Sequence, residues 1–120
     1  MQTIKAIQTI GNQGDGRFET WFDALEFMKN EIDKMDYDVC LLGCGAYGMP
    51  LAAHVKRSGK KAVHLGGSLQ LLFGIRGARW ENSNYNATYN YSKLMNEFWV
   101  KPSATETPSK AQQVEEGCYW

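Results

Sequence analysis

"DVCLLGCGAYGMPLAAHVKRSGKKAVHLGGS", Asp38 to Ser68, is the stretch whose reading decides the fold. It opens on a short continuous apolar run, Asp38 to Gly43, the signature of a strand covered on both faces of a parallel sheet. Gly43, Gly45 and Gly48 follow with G-x-G-x-x-G spacing, where a strand ends and a helix could begin. A helix is predicted from about Met49 to Ser58. Pro50 is tolerated in its first turn, Leu51, Ala52 and Val55 supply an inner face, and Gly59 stops it. Lys61 to Gly67 then reads as a second strand ending in a glycine pair, and Ser68 to Phe73 as a short helix.

Upstream, Thr3 to Ile10 carries β-branched residues with partial alternation and stops at the Gly/Asn cluster of residues 11–16, which predicts a strand and a turn. The period then changes. Phe18, Trp21, Phe22, Leu25, Met28, Ile32 and Met35 recur at three- and four-residue steps, the stripe of an amphipathic helix. Thr20 and Asp23 have capping-box spacing, so that helix starts near Trp21. The order βαβαβα predicts an α/β fold, a Rossmann-like unit with a small three-stranded parallel sheet and right-handed crossovers. Its domain is expected over residues 1–81. Residues 82–120 read as a C-terminal extension with one short helix, Tyr91 to Trp99, and an extended polar tail. The tail ends in Cys118, Tyr119 and Trp120, three apolar residues that imply docking on the domain or on a neighbour. No internal repeat is read along the chain.

Composition narrows the function classes. Thirteen basic residues balance thirteen acidic ones in 120, which gives no support to a nucleic-acid or acidic-membrane partner. No apolar stretch approaches the ~18 residues of a membrane helix, and the first residues read as strand rather than signal peptide. Cys40, Cys44 and Cys118 are an odd number, two of them in or beside a buried strand, as expected of reduced thiols in a cytoplasm. Cys40 and Cys44 lack the second Cys/His pair of a tetrahedral metal shell. The sequons at Asn86 and Asn90 matter only in a secreted chain.

The glycine loop is the candidate site, because ligands of parallel α/β sheets bind beyond the carboxyl ends of the strands. Those ends gather Gly43, Gly45, Ala46, Tyr47, Gly48, His64, Gly66, Gly67 and Ser68. His64 is either a contact for a ligand hydroxyl or phosphate or a structural imidazole. Arg76 and Arg79 flank Gly77 and could clamp a diphosphate, since guanidinium geometry suits phosphate oxygens; both could equally be surface residues of a loop. A dinucleotide site requires an acid about twenty residues past the glycines, and His64 to Gly67 holds none. Asp36-Tyr37-Asp38 has the Asp-x-Asp spacing of a metal site, but it lies at the start of its strand, opposite the loop. Lys56, Arg57, Lys60 and Lys61 surround a helix C-terminus, where the dipole favours cations.

"LLGCGAYG" resembles the first motif of S-adenosylmethionine-dependent methyltransferases, with Leu41 where that motif has an acid. A longer resemblance is carried by "GCGAYGMPLAAH", "HLGGSLQLLFGIRGARW" and the terminal "EEGCYW". From about Ile4 to Trp120 the chain resembles the C-terminal Rossmann-like part of GT-D-type glycosyltransferases of polysaccharide biosynthesis. The resemblance implies a nucleotide-sugar diphosphate ligand, bound by the amides of Gly45 to Gly48 and Gly66 to Ser68 with charge from Arg76 or Arg79. It also implies that an upstream half bearing an Asp-x-Glu metal motif is missing, so no cofactor is expected in this chain and a divalent metal only in a full-length relative. No turnover is expected of the isolated chain. A catalytically silent Rossmann-like module that serves packing or oligomerisation is the alternative. Open sheet edges and the apolar terminus predict a homodimer.

Overall fold

The computed structural model describes residues 1–10 and 16–120, so most of the turn expected over residues 11–16 lies outside the described residues. The chain divides into two compact units, Met1–Leu69 and Gln70–Trp120. The division falls at 69/70 rather than at 81/82, because Trp80 and Arg79 are tied to the C-terminal residues and to Gln70.

The first unit is built on two helices and a pair of strands. Helix α1 spans Trp21–Asp33, and its start is set by a complete capping box: the Thr20 hydroxyl accepts from the Asp23 amide while the Asp23 carboxylate accepts from the Thr20 amide. Strand β1 is Val39–Leu42, helix α2 is Gly48–Arg57, and strand β2 is Lys61–His64. α2 ends as expected at Gly59, which takes φ +82° and lets the chain turn back. The strands pair in parallel with Val39 opposite Lys61 and Leu42 opposite His64. Alternating helices and parallel strands make this a small α/β fold.

The predicted first strand does not form. Among the described residues the sheet has two strands, and residues 3–9 carry no strand pairing. The segment holds to the core through Ile4 and Ile7, with Ile10 half-buried. Burial therefore repeats every three residues, a spacing that the two-residue pleat of a strand cannot bury on one face.

The core of this unit joins Ile7, Ala24, Leu25, Met28, Ile32, Leu42, Tyr47, Leu51 and Val55. Met28, Leu51 and Val55 are its largest fully enclosed side chains, each contributing about 1.5–3 kcal/mol of burial. Phe22, counted on the inner stripe of α1, faces solvent instead, and Ala24 takes a core position. His54 of α2 bonds Asp33 at the end of α1 at 2.8 Å, fastening the two helices. β1 is not covered on both faces: Cys40 and Leu42 turn to the core while Val39 and Leu41, with Val63 of β2, remain about 45 % exposed. The apolar run is continuous, but α1 and α2 contribute to one core, on the Leu42 side of the sheet.

The short helix α3, Leu69–Leu72, begins on the last residue of the first unit, and in the second unit α4 spans Ala78–Glu81. Ile75 and Val100 form a parallel bridge, with the Arg76 amide donating to Val100 at 2.7 Å. The helix predicted over Tyr91 to Trp99 shrinks to one 3₁₀ turn, Tyr91–Leu94, capped by the Asn90 side chain, because Asn96 satisfies the Phe98 amide with its side chain and so competes with helical bonding. Cys118, Tyr119 and Trp120 lie against α4. The Arg79 amide donates to the Cys118 carbonyl, Ala78 to Trp120, and the Gln70 side chain to Tyr119. Glu115, Glu116 and Gly117 take φ +46°, +58° and +74°, a left-handed turn that costs the two glutamates about 1–2 kcal/mol each. The turn brings the Glu115 carboxylate onto the Arg79 guanidinium. No helix among the described residues is long and apolar enough to cross a membrane.

Candidate functional site

The carboxyl ends of β1 and β2 lead into two loops that touch. The Leu65 amide donates to the Leu42 carbonyl at 2.9 Å, carrying the ladder one residue past β2. A 3₁₀ turn over Gly45–Tyr47 then enters α2, and a second over Gly66–Ser68 enters α3. The glycines divide into two kinds. Gly43 has no room for a side chain: a Cβ there would stand 2.7 Å from Leu69 and 2.9 Å from the Gly66 carbonyl oxygen. Gly48 is buried under the His64 imidazole, which a Cβ would strike. Gly45 and Gly66 are different. Both are left-handed, with φ +52° and +56°, and the space beside each is open to at least 4 Å. A glycine required by conformation and facing empty space leaves its backbone accessible to a ligand.

The other expected residues fall on both sides of this division. Ala46 and Ser68 are exposed beside the open glycines, and Gly67 is half-buried between Gly66 and Ser68. Tyr47 turns into the core: its ring stacks on Trp21 at 4.8 Å, and its hydroxyl is 2.9 Å from that of Thr9. His64 is exposed on its outer side and packed against the first turn of α2 on its inner side.

Arg76 and Arg79 belong to the second unit. Arg79 is held there by its own neighbours: Nη2 donates to Cys118 Sγ at 3.0 Å, Nη1 to the Tyr119 hydroxyl at 3.3 Å, and the guanidinium lies 4.7 Å over the Tyr119 ring. Burial works against its charge, yet the contacts to Cys118 and Tyr119 prevail and raise its pKa above the ordinary value. Gly77 permits this arrangement, since a Cβ there would lie 2.8 Å from the Tyr119 carbonyl oxygen. Arg76 is half-exposed and faces Glu81 at 3.9 Å; Glu81 also pairs with Lys101 at 2.6 Å.

Asp36-Tyr37-Asp38 lies at the opposite end of β1, where Lys60 sits 4.0 Å over the Tyr37 ring and donates to the Met35 carbonyl. Among the described residues no three His, Cys, Asp or Glu side chains converge to hold a metal ion. Cys40 and Cys44 are partly enclosed by the core. Burial pushes both thiols up, Cys44 to about 11 with the neighbouring Cys40 adding to it, and that keeps them protonated and unreactive at neutral pH.

One group was overlooked in the sequence. Trp80, Tyr85, Tyr89 and Tyr91 form a connected aromatic cluster, and the signal was the four-residue spacing from Tyr85 to Tyr89 inside an asparagine-rich stretch. The chain matches no family model, no curated protein and no solved structure.

Proposed function

We propose that the first unit is a Rossmann-like nucleotide-sugar binding domain of glycosyltransferase type, in which the backbone around Gly45 to Gly48 and Gly66 to Ser68 receives the diphosphate. One observation carries this reading: two loops at the carboxyl ends of adjacent parallel strands each hold a left-handed glycine facing open space. The first turn of α2 adds the positive end of a ten-residue helix beside that space. The ligand would lie across both loops, with His64 and Ser68 at its flanks. On this reading the chain binds without turnover. The same reading has the chain in the cytoplasm with its thiols reduced.

A second reading has its own support. Gly43 and Gly48 are filled by Leu69 and His64, and Tyr47 is part of the core, as in a module whose glycines serve packing alone. The open face of Val39, Leu41 and Val63 then makes self-association its role, as a homodimer. Isothermal titration with UDP- and GDP-sugars, with and without manganese, separates the two. Binding in the millimolar range that disappears in Gly45→Ala supports the nucleotide-sugar domain. No heat at millimolar ligand, together with a two-chain mass by light scattering, supports the silent module.

A further inference from the structure

After α4 asparagine recurs at every fourth position, in Asn82-Ser83-Asn84-Tyr85, Asn86-Ala87-Thr88-Tyr89 and Asn90-Tyr91-Ser92-Lys93, with tyrosine closing the first two quartets. Each leading asparagine closes the same turn. The side-chain carbonyl of Asn82 accepts from the Asn84 amide at 2.9 Å, that of Asn86 from Thr88 at 2.8 Å, and that of Asn90 from Ser92 at 3.0 Å. The stretch is thus a series of locally closed Asx turns. In every turn the carbonyl end of the amide is used, and the donor end, with its two N–H groups, has no part in closing it.

The aromatic rings are ordered by the same turns. Tyr85 and Tyr91 pack edge-on against Trp80 at 5.4 and 5.2 Å, and Tyr89 packs on Tyr91 at 5.3 Å. Core packing accounts for Trp80, which is buried. It does not account for Tyr85 and Tyr89, which remain 47 % and 45 % exposed while their orientation is fixed. Rigid tyrosines beside small polar residues are the composition of a recognition surface, giving broad amphipathic contact at little entropic cost.

Charge selects the ligand. Between residues 82 and 99 the only ionisable acid or base side chains besides the tyrosines are Lys93 and Glu97, and the one guanidinium among the described residues that reaches the cluster, Arg79 at 5.5 Å from the Tyr85 ring, is neutralised by Glu115. A single-stranded nucleic acid would also stack on such rings, but it needs a cationic groove along its backbone. A neutral polyhydroxyl chain needs none. Its ring C–H faces lie on tyrosine, and its hydroxyls accept from amide N–H groups and exchange hydrogen bonds with phenols.

We propose that residues 82–92 form a binding platform for a neutral oligosaccharide chain, with Tyr85 and Tyr89 beneath sugar rings and the amides of Asn82, Asn86 and Asn90 donating to hydroxyls. The repeat in the protein suits a repeating ligand. The platform lies within the second unit and does not rest on the reading of the glycine loops.

The test uses the full chain and tryptophan fluorescence with a panel of neutral gluco-, manno-, galacto- and N-acetylglucosamine oligosaccharides, beside sulfated oligosaccharides and oligo-dT. At least one neutral series should bind, more tightly with length and independently of salt. Tyr89→Ala should weaken that binding about tenfold or more. Asn86→Asp keeps the turn-closing acceptor and removes the donor, so it should weaken binding with the circular dichroism unchanged. Gly45→Ala should leave it unaltered, so loss of nucleotide-sugar binding and loss of saccharide binding read separately. The proposal is overturned by no binding of any neutral series at ten millimolar, by a preference for sulfated chains or oligo-dT that collapses with salt, or by undiminished binding in both variants.

Discussion

Gly43→Ala is the most discriminating change to the glycine loop, because geometry and proximity point to different residues. A Cβ at Gly43 would lie 2.7 Å from both Cβ and Cδ2 of Leu69 and 2.9 Å from the Gly66 carbonyl oxygen. Ordinary contact begins near 3.5 Å, so each neighbour must retreat by more than half an ångström. Leu69 Cβ and the Gly66 oxygen cannot retreat by rotamer change; the Gly66–Ser68 turn itself has to move. Overpacking of this kind costs about 1–3 kcal/mol. For a unit of this size each kcal/mol lowers Tm by roughly 4–8 °C. Gly48→Ala is the contrasting case. Its Cβ would meet the His64 ring, but that ring belongs to an exposed side chain that can swing out, and alanine is the better helix former by up to about 1 kcal/mol. Its net cost should stay under about 1 kcal/mol. Urea unfolding followed by circular dichroism compares the two directly. Gly43→Ala as stable as the parent, or Gly48→Ala the costlier of the pair, would refute the assignment of Gly43 to loop-on-loop packing.

Further outcomes follow from single contacts. Thr20→Ala removes half of the capping box of α1 and should lower stability by about 1 kcal/mol, read as a shifted urea midpoint with an unchanged slope. Cys44 ionises near 9 when unfolded and near 11 when folded, so its burial stabilises the fold below pH 9, and that contribution should be lost as pH rises from about 9 through 11. A Cys44→Ala variant should show a flatter decline over that window, and in the parent Cys44 should react with a thiol reagent at pH 8 about a hundredfold more slowly than an ordinary cysteine. Arg79→Ala frees the segment from Glu115 to Trp120. Hydrogen exchange there should accelerate by an opening free energy of about 1–2 kcal/mol, discounted for the exposure of Glu115, while α1 and α2 keep their protection.

What could be read from the sequence was what local chemistry decides. Thr20 and Asp23 announced the start of α1, Gly59 the end of α2, and the apolar runs at Val39 and Ala62 the two strands that pair. Thr3 to Ile10 has the branched residues of a strand but not its spacing: Ile4, Ile7 and Ile10 stand three apart, which no pleat buries together. Tyr91 to Trp99 forms only its first turn because the periodicity runs through Asn96, whose side chain bonds the Phe98 amide in place of a helical carbonyl. The site was legible only as a set of positions. The spacing of Gly43, Gly45 and Gly48 located the loop, yet which glycine packs and which stands open depends on Leu69 and His64, residues distant in sequence. Arg79 illustrates the same limit. Its partners Glu115, Cys118 and Tyr119 are nearly forty residues away, and nothing local announces them.

The most direct test of the central claim is a ¹H–¹⁵N correlation titration of the chain with a UDP-sugar at millimolar concentration, with and without manganese. A diphosphate seated on the open glycines should shift the amides of Gly45, Ala46, Gly66, Gly67 and Ser68 together and saturably, with Gly59 and Gly117 as left-handed glycines that do not move. Amides of the two loops that stay in place at saturating ligand, or shifts no larger there than at Gly59 and Gly117, would contradict it.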